Sequence, residues 1–362
     1  MKLMISKNIF SSLVLLGVLF LIFDFIVGDV FLLNGINIKY LIFLCLLFTP
    51  FIKYNFNFNQ FDIIYLLLGA ICLIHFFHPG TERQYLMIFL FSIIYSWLLS
   101  KAVFHEIHFK LLEIFFVIFT IITTIIILLN YDVFIKAYLN QSRSAIRESS
   151  ISIFGLSIIF NIIFIYFAST YRYKKLSLIF LVLSIASFFI SQSRGPLLAF
   201  LIFIIIRYFD FIKKYSIIIL IGSFFSFSYL YSIVFSRGQS TKSILRRFDS
   251  ISDALNMISG NPFGEGIGSY TETYNHVYPH NLIVHYLAEL GYIFLFVFIL
   301  LIIQLILIYK SKIVKNNVFF YLFIYFLIWF QFSGNPILGA RIILPLAGIY
   351  ISLYYANHKS LV

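Results

Sequence analysis

The stretch PHNLIVHYLAELGYIFLFVFILLIIQLILIYK, Pro279 to Lys310, puts a proline, a histidine and an asparagine in front of a long, almost wholly apolar run. An α-helix rises ~1.5 Å per residue, so about 20 apolar residues cross the ~30 Å hydrocarbon core of a bilayer. This run is long enough by itself, and it is one of many. Of the 362 residues, 62% are hydrophobic and 11% charged, against roughly half and about a quarter in soluble chains. The blocks are continuous and do not alternate, which excludes a membrane β-barrel. The composition reads as an all-α integral membrane protein. It leaves open what a titratable histidine does at the mouth of a membrane helix.

Working outward, the same pattern predicts helices near residues 8–27, 38–52, 61–77, 85–100, 111–129, 151–170, 176–191, 196–212, 215–235, 281–308, 317–332 and 340–356, about 12 transmembrane helices. The first is too long for a signal peptide core and no small-residue cleavage site follows it, so it reads as a membrane span. The connections MKLMISK, KYNFNFNQ, KAVFHEIHFK, YRYKK, FIKK, KSKIVKNN and NHKS carry the lysines. By the positive-inside rule they face the cytoplasm, as do both termini. No internal repeat and no Pro/Gly/Ser linker divides the chain, which predicts a single polytopic domain over 1–362 with one large outer loop at 236–280. Cys45 and Cys72 both lie inside apolar runs and imply no disulfide framework.

The two basic residue types sort differently over this topology. Of 16 lysines, 13 fall on the cytoplasmic side; of 10 arginines, 8 fall outside, namely Arg83, Arg143, Arg147, Arg194, Arg237, Arg246, Arg247 and Arg341. Lysine suffices for orientation. An outward arginine set points instead to an anionic phosphate ligand, because the planar guanidinium binds phosphate bidentately and keeps its charge in a partly apolar setting. Ordinary loop charges or contacts to lipid headgroups are the competing reading. The net charge of +12 implies no nucleic acid, since no soluble basic domain carries it.

The loop 236–280 holds the densest polar chemistry. In LRRFDSISDALNMISGNPFGEGIGSY, Phe248, Ile251, Leu255 and Ile258 form one apolar stripe, and Gly260 and Pro262 end the helix. An amphipathic helix lying on the membrane surface follows. Arg246 falls near Asp249 and Asp253, where a salt bridge competes with ligand binding. Arg247 projects onto the edge of the stripe and opposes the helix dipole in the first turn, so it serves a ligand better than the helix. GEGIG follows no strand and is no dinucleotide fingerprint; it reads as a flexible turn back toward His280. Asn281 either orients His280 or caps the next helix. Glu289 is costly inside a membrane unless paired, and His285 lies one turn before it. Glu82 and Arg83 read as a local salt bridge. His75 with His78, and His105 with Glu106 and His108, complete no three-ligand zinc set. Arg143 and Arg147, one helical turn apart, and Arg341, opening the last helix, join Arg246 and Asn281 as candidate substrate-binding residues.

Three stretches, SRGPLLAFLIF, RFDSISDAL followed by NPFGEGIGSY, and HNLIVHYLAELGYIFLF, resemble the bacterial O-antigen ligase and polymerase superfamily in order and at the outer face. The resemblance implies a GT-C-like, inverting and metal-independent glycosyltransferase without a cofactor. Its donor and acceptor would be undecaprenyl-pyrophosphate-linked glycans at the periplasmic face of the inner membrane. Arg194, Arg247 and His280 match the family's functional arginines and histidine and stand as the catalytic candidates. The chemistry agrees: histidine alone titrates unperturbed near neutral pH, a placed base contributes about 10²- to 10⁴-fold, and arginines neutralise a departing diphosphate. A polymerase is favoured over a ligase by composition, which is rich in Phe, Ile and Lys; membrane lipids and a chain-length regulator are expected partners. A lipid-linked oligosaccharide flippase is the alternative of another class, but it would need charges along a mid-membrane cavity and inverted repeats, and neither is visible.

Overall fold

A computed structural model describes residues 9–19, 32–33, 36–37, 48–104, 106–129, 131–132, 135, 153–170, 174–191, 194–215, 240–274, 281–314, 318–332 and 336–358. Within them the apolar blocks fold as helices: α1 (Ile9–Leu19), α2 (Gln60–His75), α3 (Arg83–Lys101), α4 (Lys110–Leu129), α5 (Ile153–Thr170), α6 (Lys174–Ser191), α7 (Arg194–Arg207), α8 (Phe209–Lys214), α9 (Ser240–Gly260), α10 (Ser269–Tyr274), α11 (Leu282–Ser311), α12 (Val318–Trp329) and α13 (Pro336–His358). A two-residue antiparallel pair, Leu32–Leu33 with Ile36–Asn37, supplies the strands. The predicted helix 215–235 and most of 38–52 lie outside the described residues. The predicted helix 196–212 is interrupted at Tyr208, whose φ of −113° and ψ of 26° separate α7 from α8.

Among the described residues, three helices are long and apolar enough to cross a membrane: α3, α11 and the stretch Gly339–His358 of α13. Their outward faces are apolar as well. Along α11, Ile293, Phe296, Ile299, Ile303 and Leu307 are exposed at spacings of three and four, a stripe that water would not tolerate and lipid covers.

Inside, the helices pack through small and polar residues, as membrane helices do. Ser96 of α3 donates its hydroxyl to the carbonyl of Leu344 at 2.5 Å, Ser352 of α13 donates to the carbonyl of Ala102, and Gly348 lies so close to the Ser96 backbone that no β-carbon fits. Pro345 has no N–H for the Arg341 carbonyl, one turn back in α13. Asn161 on α5 donates to the Tyr325 hydroxyl on α12 at 2.9 Å.

The antiparallel packing sorts the connections by end. At one end, Asp62 and Lys101 form a buried pair at 2.6 Å; Trp97 donates to the same carboxylate at 2.7 Å, and Lys101 donates to the Asn57 carbonyl at 2.7 Å. Asp62 also accepts from the Asn59 N–H, while the Asn59 side chain accepts from Phe61, so a capping box starts α2 at that charge. The other end gathers the turn 75–83, the loop 261–268 and the beginnings of α7, α11 and α13. The positive-inside rule predicts the outer side for this end.

Candidate functional site

The end opposite the Asp62–Lys101 pair is organised by a break in α11. Gly291 has φ 77° and ψ −179° in the middle of the helix, so the ladder stops there and the Ala288 and Glu289 carbonyls lose their helical partners. The loop NPFGEGIG fills the gap. Glu265 donates its N–H to the Ala288 carbonyl at 3.1 Å, Gly266 to that of Glu289 at 2.9 Å, and the freed N–H of Tyr292 goes to the Pro262 carbonyl at 3.1 Å. Irregular backbone at membrane depth is tolerated only when satisfied in this way. The approach is too close for side chains: a β-carbon on Gly264, itself at φ 88°, would stand 2.5 Å from the Glu289 carbonyl oxygen, and one on Gly291 would collide with Phe263. GEGIG is therefore a turn, as predicted, but one fixed by its main chain. Beneath it lies the turn 75–83, where Glu82 donates its N–H to the Ile267 carbonyl at 2.7 Å.

Three helix beginnings meet around the Trp329–Phe332 turn that ends α12. A β-carbon on Gly195, the second residue of α7, would be 3.3 Å from both Phe332 and Trp329; one on Gly339 of α13 would be 3.3 Å from the Phe330 ring. Leu282, opening α11, donates its N–H to the Phe330 carbonyl at 3.2 Å, and Ile283 donates to Gln331 at 3.4 Å. Arg194 is the first residue of α7, Asn281 caps α11 directly after His280, and half-buried Arg341 follows Gly339 by two residues. The first N–H groups of α11 are taken by these contacts, but the positive ends of the helix dipoles still converge here, which favours an anion. The side chain of Asn281 accepts from the Val284 N–H at 3.0 Å, which makes it a cap. Arg341 sits in the second turn of α13 and does not open it, because Pro336 starts that helix earlier than predicted.

Helix α9 packs against α11 on a different face from the predicted stripe. Ala254, Met257 and Ile258 are buried with Tyr270 and Ala288, and the Tyr270 hydroxyl donates to the Ser250 carbonyl at 3.1 Å. Phe248 and Leu255 are 65% and 50% exposed. Of the predicted stripe Ile258 is buried and Ile251 half-buried, since small residues allow the closer approach to α11 and leave Phe248 and Leu255 for lipid. In helical register, position 247 falls on the face of Ser250 and Ala254, whereas position 246 falls on that of Asp249 and Asp253. Ser250 lies over Tyr270, whose ring faces His285, while the end of α9 leads into the loop at the break in α11, so position 247 lies back along α9 toward the Asn281 end.

Deeper in, His285 and Glu289 are 3% and 2% exposed, with Nε2 and Oε2 2.8 Å apart. The expected pair is present. Glu289 also accepts from the Tyr270 N–H at 3.4 Å. Glu82 does not pair with Arg83. Its carboxylate lies beside Gly268, where burial, and then the negative charges of Glu272 and Glu289, raise its pKa above the ordinary carboxylate range. Arg83 instead lies over the Phe76 ring, 5.6 Å from its centroid. Among the described residues no three His, Cys, Asp or Glu side chains stand together as metal ligands.

Of the predicted site residues, the structure brings together the helix beginnings of Arg194, Asn281 and Arg341. It places positions 246 and 247 on α9. His280, Arg143 and Arg147 lie outside the described residues. The sequence reading missed the Trp329–Phe332 turn and the approach of Glu82 to Gly268; the one available signal was Gly291 inside an apolar helix, beside a Gly-rich loop. Residues 179–299, about a third of the chain, match the family model described as O-antigen ligase. No curated protein and no solved structure matches the chain. The matched segment runs from α6 through the break in α11, and over that segment the chain is similar to the O-antigen ligase family.

Proposed function

We propose that the protein is a surface-polysaccharide polymerase, joining undecaprenyl-pyrophosphate-linked repeat units at the periplasmic face of the inner membrane. The carrying observation is the meeting of three helix N-termini at the Trp329–Phe332 turn, beginning at Arg194, next to His280 and just before Arg341. Such a convergence favours a diphosphate leaving group. In the reaction, an acceptor hydroxyl attacks the anomeric carbon, the C–O bond to the donor diphosphate breaks with its electron pair, and His280 takes the hydroxyl proton. Arg194 and Arg247 offset the charge developing on the leaving group. The configuration inverts because attack and departure occur on opposite faces.

Ligation of the same lipid-linked glycan to lipid A-core is the second reading, favoured by the description of the matching family model. The chemistry at the donor is shared and only the acceptor differs. Electrophoresis of lipopolysaccharide from a deletion strain divides the two. A core carrying one repeat unit supports polymerase; lipid-linked polymer with bare core overturns it in favour of ligase.

A further inference from the structure

The His285–Glu289 pair has no part in the mechanism so far, yet its chemistry is unusual for a structural contact. Both side chains are almost fully buried. Nε2 and Oε2 are at ion-pair distance, but neither ring nitrogen of His285 has a well-directed hydrogen-bond partner among the described residues. A buried polar side chain in that state calls for a role beyond packing. The position is also specific. The His285 N–H donates to the Asn281 carbonyl at 3.0 Å, so the imidazole is carried one helical turn inside the cap that follows His280.

Glycosyl transfer releases one proton per turnover: the acceptor O–H breaks, the glycosidic C–O bond forms, and the diphosphate departs with the electrons of the broken C–O bond. A base that keeps this proton is unfit for the next cycle. Resting on the glycosyl-transfer reading above, we propose that His285 is a positioning residue that holds the released proton passed on from the base, with Glu289 fixing its charge and orientation. Glu289 is itself held by the Tyr270 N–H. The other titratable groups facing Glu289 are His75 at the end of α2, Glu82 before α3 and Tyr286 on α11. Glu82 is half-buried and Glu272 is exposed, so carboxylates lead from the pair toward solvent.

The test is the pH profile of kcat/KM for purified, lipid-reconstituted protein with a lipid-linked repeat unit as both donor and acceptor. Wild type, Glu289→Gln, His285→Gln and Glu82→Gln are compared, each checked for its unfolding temperature. His285 must be neutral to accept the proton, so the proposal requires a rate that rises with pH on the acid side. Glu289→Gln removes an adjacent negative charge and moves this limb to lower pH by about one unit or more. His285→Gln abolishes the limb and lowers the plateau. Glu82→Gln moves the limb in the same direction by less, and carries the test if Glu289→Gln does not fold. An acidic limb that stays in place in folded Glu289→Gln, or in Glu82→Gln when Glu289→Gln does not fold, overturns the proposal, even if the plateau falls. If the wild type transfers no glycan at all, the glycosyl-transfer reading fails instead.

Discussion

At the residue scale, the arginines carry the sharpest tests. Arg194 begins α7 at the meeting point of three helices, where a diphosphate would use both arms of the guanidinium fork. Arg194→Lys keeps the charge and loses the fork, so polymer formation in vivo should fall nearly as far as in Arg194→Ala. Full activity of the lysine variant would reduce Arg194 to a general charge. Positions 246 and 247 point to opposite consequences, because register puts 247 on the packed face of α9 and 246 with the aspartates. Arg247→Ala should therefore remove most chain-length laddering on gels and Arg246→Ala only part of it. Glu82 gives a stability test. Its raised pKa means that the folded state holds the proton more tightly than the unfolded chain. Stability is greatest at low pH and declines as pH rises from the ordinary carboxylate range through the raised value. Glu82→Gln should flatten that decline in thermal unfolding curves taken from pH 4 to 7; an unchanged slope would show that the shift has another source.

At the scale of elements, the break in α11 and the loop that fills it act as one unit. Gly291→Ala places a β-carbon at φ 77°, against Phe263. The left-handed conformation alone costs roughly 1–2 kcal/mol, and the collision adds to it. A lowered unfolding temperature together with lost transfer is expected, whereas a tolerated alanine would mean that the loop does not dock there. These elements also show what the sequence could and could not reveal. The apolar blocks predicted α3, α4, α5, α11 and α12 to within a few residues, because hydrophobic length is a local property. The stripe on α9 marks its lipid-facing side, but a second face, by which the helix packs on α11, is not visible in that pattern. Periodicity marks the bulky residues, while close packing uses the small ones, Ser250 and Ala254. The Arg194 and Arg341 helices were picked out by charge, but their meeting at Trp329–Phe332 depends on contacts between distant segments, which no spacing encodes. Glu82 was matched to its neighbour Arg83 for the same reason, since its carboxylate lies against a loop far along the chain.

For the whole molecule, the two ends differ in how they are held. One end relies on the buried Asp62–Lys101 pair. Removing one partner strands the other charge, so Asp62→Ala should destabilise by roughly 3–5 kcal/mol, and adding Lys101→Met should recover part of the loss. The transfer rate per folded molecule should be unchanged, because the pair lies at the opposite end from the candidate site; a specific loss of rate would link the two ends. On the proposed mechanism arginines supply the positive charge at the leaving group, so transfer by purified protein should continue in excess EDTA. Loss of activity that Mg²⁺ or Mn²⁺ restores would require a different account of that charge. The other end, by contrast, is closed by main-chain hydrogen bonds among three segments remote in sequence: the turn 75–83, the loop 261–268 and the broken ladder at 288–292. During synthesis the chain emerges from its N-terminus, so the first segment waits for the second, and the second has no acceptor until Ala288 and Glu289 follow. Until then several backbone amides stand unpaired beside lipid. That end therefore closes late in biogenesis, and nascent chains halted before Tyr292 should remain sensitive to protease in the loop, whereas slightly longer ones become protected.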